Sequence, residues 1–95
     1  MKVIIKEVGE SPRIEEIENT LEALQSLVNG YIEAVHIDNE IILICNEEGN
    51  LQGLPPNFRI GNTTIVGTAV FVSHNSEGDF ASLNDWHIEN VMSKF

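Results

Sequence analysis

Hydrophobic and polar positions alternate along much of the chain, and this alternation predicts β-strands. The main candidates are Lys2–Val8, Tyr31–Ile37, Glu40–Asn46 and the β-branched run Thr64–Ser73; Arg13–Glu18 and Phe80–Ser82 are shorter candidates. Apolar residues fill both faces of the segment Ile41–Cys45, which is typical of a strand covered on both sides of a sheet. Gly67, inside the last main strand, indicates a bulge or a close backbone approach.

Two of these strands are predicted to form a tight hairpin. Asp38 and Asn39 separate them, and both residues tolerate the positive φ that a two-residue turn requires. Such a turn pairs Ile37 with Glu40, and it presents the polar segment that follows residue 45 on a firm β framework.

Two segments carry apolar side chains at helical spacing. We expect the first helix to be capped by Asn19 together with Glu22 and to end at Asn29-Gly30, and the second to be capped by Asn84. The apolar stripes are Leu21, Leu24 and Val28 in the first helix, and Ile88, Val91, Met92 and Phe95 in the second. Strands grouped together with helices outside the group predict an α+β fold. We therefore expect one small domain over residues 1–95, with a largely antiparallel sheet and both amphipathic helices packed on one of its faces.

The charge balance restricts the partners of the chain. Fifteen acidic and five basic residues give a formal net charge of −10. Such a field repels phosphate backbones and anionic lipids, so we expect neither direct nucleic-acid binding nor membrane binding. It attracts basic protein surfaces. Solubility alone also accounts for an acidic surface, so both interpretations stay open.

The chain has one cysteine, Cys45, and therefore no internal disulfide. The N-terminal apolar stretch is too short for a signal peptide, and no apolar run approaches the roughly 20 residues of a membrane span. We expect a reducing cytoplasmic location. A core this small also makes a homodimer an open possibility.

Catalytic and metal-binding patterns are absent from the sequence. His36, His74 and His87 lie in three different elements without the spacing of metal ligands, although His36 and Asp38 would supply two ligands from one strand. Cys45 lies in an apolar strand, where a thiol is a poor nucleophile. No nucleophile elbow, phosphate-binding loop or dinucleotide motif occurs. We expect no enzymatic activity, no metal and no cofactor.

The segment Asn46–Asn57 is the best candidate for a binding loop. Its polar and turn-forming residues are Asn46, Glu47, Glu48, Gly49, Asn50 and Asn57. Turn chemistry followed by a connector stiffened by Pro55-Pro56 explains these residues without any function. The alternative is a loop that binds a partner from a rigid scaffold. The spacing of the oxygen ligands does not match a calcium-binding EF-hand loop.

Two further residue sets bear on function. Arg13 and Arg59 would support a small-ligand or nucleotide-binding function if they converged in a cleft. Trp86 is expected to be buried against the sheet, whereas an exposed tryptophan beside acidic residues would mark an interface.

Four stretches resemble a known family: ENTLEALQSLVNGYIEAV, IILICNEEGNLQGLPPN, IVGTAVFV and EGDFASLNDWHIENVMSKF. The family is domain of unknown function 3846, and the most specific pieces are N-E-E-G (Asn46–Gly49), L-P-P-N (Leu54–Asn57) and V-G-T (Val66–Thr68). The resemblance covers almost the whole chain. It implies an accessory protein of phages and mobile elements of Gram-positive bacteria, and it carries over no catalytic residue.

Two functions are therefore expected. The first is binding of a host or phage protein, for example as a nucleic-acid-mimicking inhibitor of host defence. The alternative is an oligomer that sequesters a small ligand or a nucleotide signal.

Overall fold

Most of the strands pair into one antiparallel sheet, and a separate hairpin packs on it. The computed structural model describes residues 1–95. In chain order the elements are β1 (Lys2–Lys6), β2 (Arg13–Glu16), α1 (Leu21–Val28), β3 (Ile32–His36), β4 (Ile41–Asn46), β5 (Pro56–Ile60), β6 (Thr63–Val66), β7 (Ala69–His74), β8 (Phe80–Ala81) and α2 (Asp85–Lys94). The sheet order is β2-β1-β7-β4-β3, β8 also pairs with β7, and β5 pairs with β6. The predicted α+β fold with an antiparallel sheet is confirmed.

The core consists of two layers, one on each face of the sheet. The layer under α1 contains Val3, Ile5, Leu24, Val28, Ile42, Ile44, Val70 and Val72. The layer under α2 and the β5–β6 hairpin contains Ile4, Ile41, Leu43, Cys45, Ile65, Ala69, Phe71, Leu83 and Val91. The prediction that both helices lie on one face is wrong, because β4 and β7 are apolar on both faces and each face needs a cover. No helix is both long and apolar enough to cross a membrane.

The β3–β4 hairpin has a register that differs by one residue from the predicted one. The amide of Ile37 donates to the carbonyl of Ile41 at 3.0 Å, and Val35 pairs with Leu43. The loop therefore holds three residues, and the predicted pairing of Ile37 with Glu40 is wrong. Because side chains alternate between faces, this shift places Val35 and Leu43 on the same face.

Asp38 explains the wider loop. Its carboxylate accepts hydrogen bonds from the amides of Glu40 at 2.8 Å and Ile41 at 2.9 Å. The hydrogen bond from the Glu40 amide, with a smaller contribution from the Ile41 amide, lowers the pKa of Asp38. A two-residue turn has no such arrangement, so the side chain of Asp38 selects the longer loop.

The first helix begins one residue later than predicted. Thr20 is the N-cap, and its hydroxyl accepts a hydrogen bond from the amide of Ala23 at 3.1 Å. Asn19 instead donates its side-chain amide to the carbonyl of Phe80 at 3.0 Å. The predicted capping pair of Asn19 and Glu22 is therefore wrong, because a tertiary contact engages the asparagine.

The end of α1 also differs in detail. Asn29, rather than Gly30, adopts the left-handed conformation, with φ of 60°. Gly30 has a different role, because a Cβ atom there would lie 2.8 Å from Nδ2 of Asn46. The glycine lets the Asn46 side chain reach the end of the helix.

The predicted strand Thr64–Ser73 is divided between the two sheets. The break falls at Gly67, whose φ is 74°, and a Cβ atom there would lie 2.8 Å from Cδ1 of Leu54. Its amide donates to the carbonyl of Pro55 at 2.8 Å. The predicted close backbone approach at Gly67 is confirmed. The prediction of one continuous strand from Thr64 to Ser73 is wrong. The connector with Pro55-Pro56 runs directly into strand β5, which the sequence analysis did not predict, because β6 turns back to pair with that segment.

The second helix is held by a reciprocal cap. Asn84 is the N-cap as predicted; its side chain accepts from the amide of His87 at 2.8 Å, and its own amide donates to Nδ1 of His87 at 3.0 Å. Because Nδ1 accepts a hydrogen bond, the ring proton lies on Nε2, which donates to the Glu40 carboxylate at 2.9 Å. The buried His87 thus connects α2 to the β3–β4 loop.

We predict that His87→Ala lowers the free energy of unfolding by about 2–3 kcal/mol, because the cap and the bond to Glu40 are lost together. His87→Gln should cost only about 1 kcal/mol, because glutamine also serves as the reciprocal partner of an N-cap. Urea denaturation of both variants measures the difference. Equal losses would show that the reciprocal cap contributes nothing.

Gly67→Ala should destabilise the fold by about 2 kcal/mol, through left-handed backbone strain and the contact with Leu54. Gly53 provides a matched control, since its φ is 70° and no atom lies within 4 Å of the place that a Cβ atom would occupy there. Gly53→Ala should therefore cost about 1 kcal/mol from backbone strain alone. Denaturant titrations that give the same loss for both variants would contradict a close-packed division of the strand.

Candidate functional site

The six residues predicted to form a binding loop separate into two groups in the structure. Glu47, Glu48 and Asn50 are exposed, whereas Asn46 and Gly49 are buried and Asn57 is half-buried. The first group is free to meet a partner. The second is engaged inside the molecule.

Asn46 joins the loop to the end of α1. Its Nδ2 donates to the carbonyls of Val28 at 3.0 Å and Asn29 at 3.3 Å, and to Oε1 of Gln52 at 3.3 Å. Its Oδ1 accepts from the amide of Glu48 at 2.7 Å. Since both ends of the amide are bonded internally, Asn46 positions the loop.

Asn57 fixes the hairpin to the sheet. Its Nδ2 donates to the carbonyls of Lys6 and Gly67, each at 2.8 Å, and its Oδ1 accepts from Nζ of Lys6 at 3.0 Å. Gly49 has a steric role, because a Cβ atom there would lie 2.6 Å from Cγ2 of Val66. Both residues therefore shape the segment from within.

The exposed part of the segment forms a surface that combines charge with apolar groups. We call it the acidic tip, and it consists of Tyr31, Glu47, Glu48, Asn50 and Leu51. Leu51 is 87% exposed and Tyr31 is 66% exposed. The amide of Glu47 donates to the carbonyl of Tyr31 at 2.8 Å, which brings the start of β3 beside the loop. Sequence reasoning missed Tyr31 and Leu51, although a leucine among turn-forming polar residues was a usable signal.

A cavity of about 190 Å³ adjoins the acidic tip, between the β3–β4 pair and β6. Its polar lining includes Glu33, Glu47, Asn50, Thr63 and Thr64, and no basic residue contributes to it. Two carboxylates beside amide and hydroxyl groups suit a basic side chain.

Cys45 also lines this cavity, although the residue is only 6% exposed. Burial, with a smaller contribution from the charge of Glu33, raises the pKa of Cys45 to about 11. The thiol is therefore protonated at neutral pH and is a poor nucleophile there.

The histidines lie apart from this cavity. The rings of His36 and His74 meet edge to face with centroids 6.1 Å apart, and Nε2 of His74 bonds to the carbonyl of Asn39 at 2.8 Å. His87 is buried at the cap of α2. No three histidine, cysteine, aspartate or glutamate side chains are grouped so that they could hold a metal ion.

The two arginines do not share a cleft. Arg13 forms hydrogen-bonded ion pairs with Glu7 and Glu15. The hydrogen bond with Glu7, followed by the one with Glu15, raises the pKa of the guanidinium above its usual value. Arg59 is exposed on β5. Neither residue lines any of the four cavities in the structure. The convergence that would favour a small-ligand function is therefore missing.

Trp86 is 56% exposed, so the prediction of burial is wrong. Helix α2 turns His87 and Val91 toward the sheet, and the neighbouring position 86 consequently faces outward. A shallow groove beside it is lined by Glu89, Asn90 and Ser93. Trp86 and Glu89 thus share one exposed helix surface.

We predict that Asn46→Asp lowers the free energy of unfolding by about 3 kcal/mol, because a buried carboxylate replaces the donor and faces two carbonyl oxygens. Asn50→Asp makes the same chemical change at an exposed site and should alter stability by less than about 0.5 kcal/mol. Thermal and urea unfolding of both variants test this contrast. A similar small effect at both positions would mean that Asn46 does not hold the loop.

Comparison with known proteins gives a family and no activity. No curated protein and no solved structure matches the chain. The family model described as "Domain of unknown function (DUF3846)" matches residues 1–95. The chain therefore belongs to the DUF3846 family, as the resemblance of its sequence motifs predicted.

Proposed function

We propose that this protein is a non-enzymatic accessory protein that binds a basic surface of another protein through its acidic tip. One observation carries the proposal: fourteen of the fifteen acidic residues are exposed, and twelve of the fifteen form no ion pair. Uncompensated carboxylates produce a negative field that steers basic partners toward the surface.

The acidic tip adds exposed apolar area to the negative charge. Exposed Leu51 and Tyr31 offer apolar area in the same segment of surface as Glu47 and Glu48, and aromatic anchors often provide much of the binding energy in protein interfaces. An acidic surface that serves solubility alone needs no exposed leucine at the end of a loop. The combination of charge and apolar area therefore favours binding over simple solubility.

The proposal has a more specific form. A protein that normally binds nucleic acid presents rows of basic side chains, and exposed carboxylates on a small rigid fold occupy such rows as phosphates do. In this form the protein belongs to a phage or mobile element, acts in the cytoplasm and inhibits a DNA-processing enzyme of host defence.

The test is capture of partners from a bacterial lysate on the immobilised protein, at about 50 mM and about 500 mM salt. We expect retained proteins at low salt and their loss at high salt, because screening weakens the charge contacts. Glu47→Gln with Glu48→Gln should reduce retention about fivefold. If the carboxylates imitate the phosphates of nucleic acid, an added DNA duplex should compete for the same basic surfaces and release the same proteins.

The matched control is Glu77→Gln with Asp79→Asn. It removes the same two charges from an exposed turn outside the acidic tip. Retention should stay near that of the unmodified protein. The proposal is wrong if nothing is retained at low salt, or if the control variant loses as much binding as the variant of the acidic tip.

A further inference from the structure

The two outer strands of the main sheet differ in how well their edges are protected. Strand β2 follows Pro12, spans four residues and carries three charged side chains. Strand β3 spans five residues, Ile32–His36, with one acidic side chain, no proline and an uninterrupted register against β4. Charges, proline and bulges are the usual devices that prevent a sheet edge from pairing with another strand. Strand β3 has almost none of them.

The backbone of β3 is available on its outer side. The amide of Ile37 donates to Ile41, and Tyr31 accepts from Glu47, so the odd-numbered residues between them direct their backbone groups toward β4. Ile32, Ala34 and His36 direct theirs outward, and no hydrogen bond to a turn, loop or side chain engages them. These three residues form an open row of donors and acceptors.

We propose that β3 accepts an extended basic segment of a partner protein as an added strand. Residues directly opposite each other in neighbouring strands project to the same face. A lysine or arginine opposite Glu33 therefore lies on the face that carries the 190 Å³ cavity, which Glu33 and Glu47 both line. Strands lie about 4.8 Å apart, a distance that a long basic side chain easily spans.

In strand addition, main-chain hydrogen bonds provide the affinity and side-chain pockets provide the specificity. Main-chain hydrogen bonds to Ile32, Ala34 and His36 hold any extended segment, and the cavity selects a basic side chain at one position. The inference rests on the proposed function, since it names the kind of partner segment that the acidic tip attracts.

A second copy of the chain is a poorer occupant. Each copy carries a formal charge of −10. Antiparallel pairing of two β3 strands would also place both Glu33 side chains near the junction, and β3 carries no lysine or arginine to offset them. Like charges at an interface oppose association. Charge therefore favours a basic segment over self-association.

The test uses a synthetic peptide of alternating lysine and threonine, titrated into the uniformly labelled protein and followed by NMR and hydrogen exchange. We expect exchange of the Ile32, Ala34 and His36 amides to slow by at least about tenfold. A fully N-methylated peptide of the same sequence keeps the charge, but its methyl groups stand on the pairing edge and block the approach of the two strands, so it should give no protection.

Variants then test the cavity. Glu33→Gln should weaken binding of the lysine–threonine peptide severalfold, whereas Glu77→Gln, which removes the same charge elsewhere, should leave the affinity unchanged. Both positions are exposed, so neither variant should affect folding.

Three results would overturn the inference. These are equal binding of both peptides, protection at Ile14 and Glu16 of β2 instead of β3, and protection of β3 without peptide together with a dimer in light scattering. The first would leave the proposed function intact, because charge attraction alone would explain it. If the lysate experiment retains no partner but the peptide protects β3, the proposed role of the acidic tip is wrong and strand addition at β3 stands.

Discussion

The structure depends on two neighbouring strands, β4 and β7, whose side chains are apolar on both faces of the sheet. Ile42 and Val70 face α1, while Leu43 and Phe71 face the opposite layer. Leaving either face in water would expose most of the apolar area that stabilises so small a domain. A single helix covers one face only. The other face requires α2 and a hairpin that folds back over the sheet.

This need for a second cover determines where the candidate site lies. The hairpin reaches its position because the chain turns sharply at Gly67, and Asn57 then bonds it to β1 through Lys6. Where the hairpin passes over β3 and β4, its strand β6 does not fill the space completely, and the cavity beside Glu33 remains. The acidic tip lies at the same end because Asn46 bonds the loop to α1. The surface proposed for binding is thus a consequence of how the core is closed.

Local patterns in the sequence were sufficient for most strands of the main sheet, for both helices and for the burial of Cys45, but not for β5. They failed where a distant group decides the outcome. Asn19 has the chemistry of a helix cap but bonds to Phe80, and the run from Thr64 to Ser73 is a continuous β pattern that only tertiary contact at Gly67 divides. Within the candidate segment Asn46–Asn57, sequence spacing gives no means of separating Asn46, which is bonded internally, from exposed Glu48.

Most of the negative charge lies outside the contacts that hold the fold, and Asp38 in the β3–β4 loop and Glu40 beside His87 are exceptions. Both core layers are apolar, and the hydrogen bonds that position the loop come from the neutral side chains of Asn46 and Asn57. Most of the carboxylates therefore contribute little to folding, and their mutual repulsion disfavours the compact state. A fold that retains such a surplus gains nothing in stability from it. Its effects are on solution behaviour and on association with other molecules, and exposed Leu51 adds apolar area beside the carboxylates of the acidic tip.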